Sequence, residues 1–180
     1  MLNKNMSKSD IEKFLISKGN FIKVDYLTRF LKEDIPIDMK KFVYSKLAET
    51  YQVMKLFGDA AEIFKSLSIL SMTFTEKRKN YIKGCKLYIR AGNFNKAEEF
   101  LQKAMSQSNS IEKKEIYEEI KNFYKKVAEI YERNLKRNSA SRVYEKILEM
   151  RISDFERKEI REKLIKLYEK LGKKISFDNI

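Results

Sequence analysis

Apolar residues recur at steps of three and four along almost the whole chain, which is the pattern of amphipathic helices. The 180 residues include one proline and five glycines, so long stretches lack a helix-breaking residue. No stretch shows the convincing alternation of a β-strand, and we therefore expect an all-α fold. The predicted helices span residues 9–18, 23–33, 38–56, 59–70, 75–91, 94–107, 112–135, 138–150 and 154–171.

Short polar spacings indicate where several of these helices begin and end. A hydroxyl three residues before a carboxylate lets the two side chains satisfy free backbone N–H groups of the first turn. Three such pairs are Ser9 with Glu12, Thr73 with Glu76, and Ser153 with Glu156. Glycines fall where helices should stop, because glycine readily adopts the left-handed conformation that ends a helix. These glycines are Gly19, Gly58, Gly92 and Gly172.

The chain also contains an internal repeat, anchored by the tyrosines Tyr51, Tyr88, Tyr131 and Tyr168. In the first three copies a small residue precedes the anchor by three positions and an alanine follows it by nine. The small residues are Ala48, Cys85 and Ala128, and the alanines are Ala60, Ala97 and Ala140. Three further columns agree, at seven residues before the anchor and at thirteen and sixteen after it. Small residues in such columns let paired helices approach closely, so the pattern predicts helix pairs that stack side by side.

These columns resemble the pattern of the tetratricopeptide repeat family. The second copy matches it most clearly, with Tyr81, Cys85, Tyr88, Gly92, Ala97, Leu101 and Ala104 in the family's order. The first copy has Tyr44, Leu47, Ala48, Tyr51, Ala60 and Phe64, and the third has Tyr124, Val127, Ala128, Tyr131, Ala140, Tyr144 and Ile147. The family's closing proline is absent, and Lys55 and Leu135 replace its turn glycine in two copies. A looser likeness of the whole chain to uncharacterised archaeal proteins with such repeats adds no activity.

The resemblance implies a right-handed α–α superhelix of about three helix pairs, with an N-terminal helical cap and a C-terminal capping helix. We expect a flexible N-terminus at 1–8, a cap at 9–37, a repeat domain at 38–172 and a tail at 173–180. The repeats would span 38–73, 74–110 and 111–152, followed by the cap helix 153–172. In this family the first helix of each pair lines a concave groove, and the proteins act as adaptors for peptides or other proteins.

Charge adds a candidate site to this picture. The net charge of +13 is spread along the chain and suggests acidic partners, which include nucleic acid, an anionic membrane surface or an acidic protein. A lysine stands five residues before every anchor, and we call Lys46, Lys83, Lys126 and Lys163 the lysine column. Other cations fall on the same helix faces and complete the predicted groove site: Lys79, Lys86, Arg90, Arg133, Lys166 and Lys170. The alternative is the solvated face of a lysine-rich protein, and the sequence leaves both open.

The chemistry of the chain argues against an enzyme. It has no histidine and a single cysteine, Cys85, which occupies a packing column and is expected to be a buried structural thiol. We expect no catalytic residue, metal, cofactor or small-molecule substrate. The anchor tyrosines are expected to be core rather than a base-stacking platform. No run is long and apolar enough to insert into a membrane and no signal segment is visible, so a cytoplasmic protein is expected.

The sequence therefore predicts a non-catalytic adaptor whose basic groove binds an acidic or peptide segment of a partner protein. The alternative is RNA or ribonucleoprotein binding through the same surface. The last helix suggests a homo-oligomer, because its apolar face would be open unless Ile175 and Phe177 cover it. That face is formed by Ile160, Leu164, Leu167 and Leu171.

Overall fold

A computed structural model describes residues 2–172, which form nine α-helices and no β-strand. In chain order the helices are α1 Lys8–Ile16, α2 Asn20–Phe30, α3 Ile37–Val53, α4 Phe57–Ile69, α5 Phe74–Ala91, α6 Phe94–Ser106, α7 Ser110–Arg133, α8 Arg137–Leu148 and α9 Asp154–Leu171. The predicted all-α class is confirmed, and each predicted helix lies within three residues of an observed one at both ends. The predicted tail 173–180, with Ile175 and Phe177, lies outside the described residues.

The start of α1 differs from its prediction. Ser7, and not Ser9, is the N-cap: its side chain accepts the backbone N–H of Asp10, and the Asp10 carboxylate accepts the backbone N–H of Ser7. Aspartate can form the same reciprocal hydrogen bonds as glutamate. The sequence therefore contains two overlapping candidate capping pairs for the same helix start. The Glu12 side chain is consequently not used in capping and reaches another helix, as described below.

The two other predicted starts are observed. Ser153 and Glu156 form a complete capping box at α9. At α5 the Thr73 hydroxyl accepts the backbone N–H of Glu76, whereas the Glu76 carboxylate accepts the N–H of Met72. Both glutamates thus stand at the third position of their helices.

The turns that follow the anchor tyrosines repeat one backbone geometry. The residue four positions after each anchor has a positive φ: Lys55 (61°), Gly92 (72°), Leu135 (56°) and Gly172 (64°). In the first three copies the anchor carbonyl accepts the N–H five residues later, at 2.9, 3.0 and 2.8 Å. This is the hydrogen bond of a Schellman motif, and it forms whether or not glycine is present. Gly19 and Gly58 do not end helices: Gly19 is the N-cap of α2, and Gly58 lies in the first turn of α4.

Leu135→Gly is expected to raise the free energy of unfolding by about 1 kcal/mol. A residue with a Cβ atom costs about 1–2 kcal/mol in the left-handed backbone region. Glycine removes this cost but loses more backbone entropy on folding, which offsets part of the gain in stability. The Leu135 side chain is 74% exposed, so little packing is lost. Urea denaturation followed by circular dichroism measures the change. Gly92→Leu, at the same register, should lower the free energy of unfolding. An increase in that variant would contradict this explanation.

The chain divides into two compact units, Met1–Asn109 and Ser110–Ile180. In the first unit α2 packs on α3, α3 on α4, α4 on α5 and α5 on α6. Ala48, Cys85, Ala60 and Ala97 are all buried, so the predicted small-residue columns lie at helix contacts. Leu2, which falls in the segment 1–8 expected to be flexible, is buried in the core of α1–α3.

The second unit follows the same order, with α7 packed on α8 and α8 on α9. Ala128 and Ala140 are buried, as are Ile160, Leu164 and Leu167 of the last helix. The apolar face of α9 is therefore covered within the single chain at these three positions. Leu171, the fourth residue of that face, is half-buried, and the expected homo-oligomer stays a prediction.

The anchor tyrosines belong to the packing between helices. Tyr88 is buried, and its hydroxyl donates to the Glu62 carboxylate, while Tyr51, Tyr131 and Tyr168 are half-buried. Burial, together with Glu62, raises the pKa of Tyr88 to about 12. The prediction that the anchors are core holds for Tyr88, whose ring is packed and whose hydroxyl is bonded, whereas the other three anchors are partly exposed.

Candidate binding surface

The predicted groove residues of the first unit lie mainly on α5. Lys79, Lys83, Lys86 and Arg90 are spaced by four, three and four residues, which places them on one face of the helix. Lys79, Lys83 and Arg90 are exposed, and Lys86 is half-buried. We call these four residues the α5 basic face.

Two of these cations lie over aromatic rings of α4. The Lys83 ammonium is 5.5 Å from the centre of the Phe64 ring, and the Arg90 guanidinium is 5.5 Å from the centre of the Phe57 ring. Such contacts orient the side chains while leaving the cation its full charge. They hold the α5 basic face against the preceding helix.

The charged residues of α5 itself are almost all cations. Lys77 and Arg78 add to the four cations, and Glu76 is the single acidic residue of α5. The Glu76 carboxylate lies 2.8 Å from the Lys41 ammonium of α3, which, with desolvation opposing, holds the pKa of Glu76 below its ordinary value. The single carboxylate of this helix is therefore already paired, and the side chains of α5 together carry a net positive charge.

Lys46, the first member of the lysine column, is placed differently. Its ammonium lies 2.7 Å from Glu12 of α1 and 3.3 Å from Glu49 of α3. Hydrogen bonding to Glu12, and then the charge of Glu49, raises the pKa of Lys46. This lysine links two helices of the protein, and its charge is compensated before any partner binds.

The second unit has its own set of cations. On α7, Lys126 and Arg133 are exposed, with Glu129 exposed between them in the sequence. On α9, Lys163 lies 2.8 Å from Glu159 and 6.0 Å from the centre of the Tyr144 ring. Lys166 and Lys170, also on α9, are exposed. Carboxylates therefore offset more of the positive charge on these faces than on the α5 basic face.

The ten predicted residues are thus divided between the two units, with Lys46, Lys79, Lys83, Lys86 and Arg90 in the first. The second holds Lys126, Arg133, Lys163, Lys166 and Lys170. The idea of one continuous ladder of cations along a shared groove stays a prediction. Within single helices, the α5 basic face is the densest of the predicted clusters.

Sequence reasoning missed an ion pair that recurs between alternate helices. Lys41 of α3 pairs with Glu76 of α5 at 2.8 Å, and Lys121 of α7 lies 3.3 Å from Glu156 of α9. Both lysines stand ten residues before an anchor tyrosine, and both glutamates stand twelve residues before the next anchor. The sequence carries a signal for this pairing, since both pairs have the same offsets from their anchors.

Cys85 and metal-binding clusters are the other candidate chemistry. Cys85 is buried, as predicted. Across residues 2–172, no three His, Cys, Asp or Glu side chains are grouped so that they could hold a metal ion. Nor does this part of the chain contain a helix long and apolar enough to cross a membrane.

Comparison with protein-family models, with curated proteins and with solved structures found no match to this chain. The resemblance to tetratricopeptide repeats therefore depends on the residue columns of the sequence and stays a prediction.

Proposed function

We propose that this chain is a non-catalytic protein–protein interaction adaptor whose α5 basic face binds an acidic segment of a partner protein. The observation that carries the proposal is the set Lys79, Lys83, Lys86 and Arg90 on one face of a helix whose single carboxylate is already paired. The expectation of a cytoplasmic protein stays a prediction.

The proposal includes a fold. Each unit would be built from tetratricopeptide-like helix pairs, about three in all, of the kind that form a right-handed superhelix. The common turn geometry at Lys55, Gly92 and Leu135 supports this, since one register specifies the same backbone in three copies. The recurring Lys–Glu pair between alternate helices supports it as well. In such a fold the α5 basic face belongs to the helix that lines the groove.

The physical chemistry of this face favours carboxylate ligands. Arginine can hold a carboxylate through two parallel hydrogen bonds, and lysine supplies a mobile point charge. Exposed ion pairs contribute only about 0.2–1 kcal/mol each, so several must form together before binding is measurable. Charges of this kind set orientation and association rate more than final affinity. The partner therefore needs several acidic residues within one short segment.

RNA is the alternative ligand of a basic face, but the described surface offers fewer of the contacts that RNA usually makes. Single-stranded RNA binds through aromatic side chains on which bases stack. The tyrosines that would serve as such a platform are buried or half-buried, and the Tyr88 hydroxyl is bonded to Glu62. These observations favour an acidic protein segment over a nucleic acid.

A charge-reversal experiment tests the proposal. The triple variant Lys83→Glu, Lys86→Glu, Arg90→Glu is expected to bind a fluorescein-labelled peptide rich in glutamate and serine about tenfold more weakly than the wild type. Fluorescence anisotropy measures the affinity, and circular dichroism verifies that the helices are retained.

The matched control changes the same net charge elsewhere in the first unit. Lys4, Lys13 and Lys32 are exposed and lie outside the α5 basic face, so their replacement by glutamate should weaken binding much less. Equal losses in both triple variants would mean that only net charge matters, and the assignment to α5 would be abandoned. Tighter, steeply salt-dependent binding of labelled oligouridine would favour RNA instead.

A further inference from the structure

A cleft of about 370 Å³ opens in the first unit between α1, the start of α2 and α3. Its volume lies within the range of about 300–1,000 Å³ that is usual for ligand pockets. The walls carry Ile16 at the end of α1 and Val53 at the end of α3, which are 77% and 69% exposed. The neighbouring Leu15 and Thr50 are buried. Two large apolar side chains are therefore held in water at the mouth of a concave surface.

The charged residues of this cleft compensate one another. Lys46 lies between Glu12 and Glu49, and Lys23 adds a second cation beside these two carboxylates. The lining thus contains two positive and two negative groups, with one ammonium fixed by both carboxylates. Such a cleft has no net charge with which to attract an anion, so the groups that can gain from a ligand are the apolar ones.

The cleft and the α5 basic face occupy equivalent positions of two related helices. Lys46, Glu49 and Val53 line the cleft from α3, and they stand five and two residues before and two residues after the anchor Tyr51. The same offsets from Tyr88 on α5 give Lys83, Lys86 and Arg90. Both helices pack on α4, and the Lys41–Glu76 pair joins them directly. The cleft and the α5 basic face therefore lie at the same register of two helices that an ion pair links.

We propose that the cleft between α1 and α3 binds an aliphatic side chain, such as leucine, of the acidic segment whose carboxylates contact the α5 basic face. This inference rests on the proposed function and deepens it. Charge complementarity selects the ligand: carboxylates are matched by α5, and an uncharged side chain is matched by the cleft. The apolar contact supplies the affinity that exposed ion pairs alone do not provide.

Peptide affinities in two protein variants test the inference. The probes are fluorescein-labelled acidic peptides that carry one leucine at each position in turn, and a parent peptide that carries alanine throughout. The wild type is expected to bind at least one leucine peptide about tenfold more tightly than the parent. The variant Ile16→Ser, Val53→Ser should lose this preference while its affinity for the parent peptide stays within about twofold.

The matched control is Ile69→Ser, Met72→Ser, because both residues are exposed apolar residues of the same unit and neither lines the cleft. It should keep the leucine preference. Val53→Ser alone provides a milder variant if the double substitution disturbs folding, and it should reduce the preference in part.

The outcomes separate the two proposals. If the parent and leucine peptides bind equally well and the α5 charge reversal weakens both, the adaptor proposal stands and the cleft inference is overturned. A leucine preference that survives in the cleft variants places the side chain elsewhere and also overturns it. If no acidic peptide binds the wild type, the adaptor proposal itself fails.

Discussion

Gly84→Val is expected to lower the free energy of unfolding of the first unit by about 3 kcal/mol. Gly84 lies in the interior of α5, between α4 and α6. A Cβ atom placed there would stand 2.5 Å from the Phe100 ring of α6 and 3.5 Å from the Ala61 carbonyl oxygen of α4. Since the first distance is far inside van der Waals contact, the ring or the helix must move.

The Phe100 ring has little room to do so. It is 1% exposed and makes edge-to-face contacts with Tyr81 and Tyr88, at 5.7 and 5.1 Å between ring centres. Overpacking of such a core costs about 1–3 kcal/mol, and valine adds branched atoms to the Cβ that already collides. Gly84→Ala should cost less, because its gain in helix propensity of about 1 kcal/mol offsets part of the strain.

Gly58 provides the control for this prediction. It is also a helical glycine, on α4, but a Cβ atom added there would meet nothing within 4 Å. Gly58→Ala is therefore expected to stabilise the protein by about 0.5–1 kcal/mol. Urea denaturation of both alanine variants measures the difference. If Gly84→Ala were as stabilising as Gly58→Ala, the α4–α5–α6 contact would be looser than the structure describes.

Gly84 also shows what the sequence could and could not reveal. The helix pattern predicted all nine helices, and the small-residue columns predicted the contacts at Ala48, Cys85 and Ala60 because those residues repeat. Gly84 does not repeat: Leu47 and Val127 stand at the same register in the other copies. A close approach that is specific to one copy depends on the Phe100 ring across the contact, and a single sequence does not pair those two positions.

The candidate site was predictable in the same limited sense. The lysine column was visible, but the partners of its members were not, because they come from other helices. The spacing of Ser9 and Glu12 predicts a helix cap, but in the structure Ser7 and Asp10 form that cap and Glu12 pairs with Lys46. The cleft was not predictable for the same reason, since α1, α2 and α3 each contribute part of its wall.

Glu156→Gln is expected to lower the free energy of unfolding of the second unit by about 2 kcal/mol at neutral pH. The Glu156 carboxylate lies 2.6 Å from the Lys125 ammonium and 3.3 Å from that of Lys121, which is only 7% exposed. Removing the charge leaves Lys121 with Glu118 as its remaining ion-pair partner. Glutamine can still accept the Ser153 N–H in the capping box, so the substitution changes the charge and spares the cap.

The pH dependence of this effect follows from the pKa of the same group. Hydrogen bonding to Lys125, and then to the backbone of Ser153, lowers the pKa of Glu156 from 4.5 to about 2. A carboxyl whose pKa is depressed in the folded state stabilises that state above its unfolded pKa, and the contribution disappears as pH falls. The shift corresponds to about 3 kcal/mol, which partial exposure of the pair reduces to about 2. The wild type and the variant should therefore differ fully above about pH 5 and converge near pH 2.

Denaturation curves of both proteins across this pH range measure the convergence. Glu162→Gln is the matched control, because Glu162 is an exposed glutamate of the same helix. Its stability should follow the wild type at every pH to within about 0.5 kcal/mol. A constant difference between Glu156→Gln and the wild type from pH 7 to pH 2 would contradict the prediction, since it would assign the loss to the cap or to packing. A difference that closes with acid would instead show that the charge of Glu156 joins α9 to α7, as the charge of Glu76 joins α5 to α3.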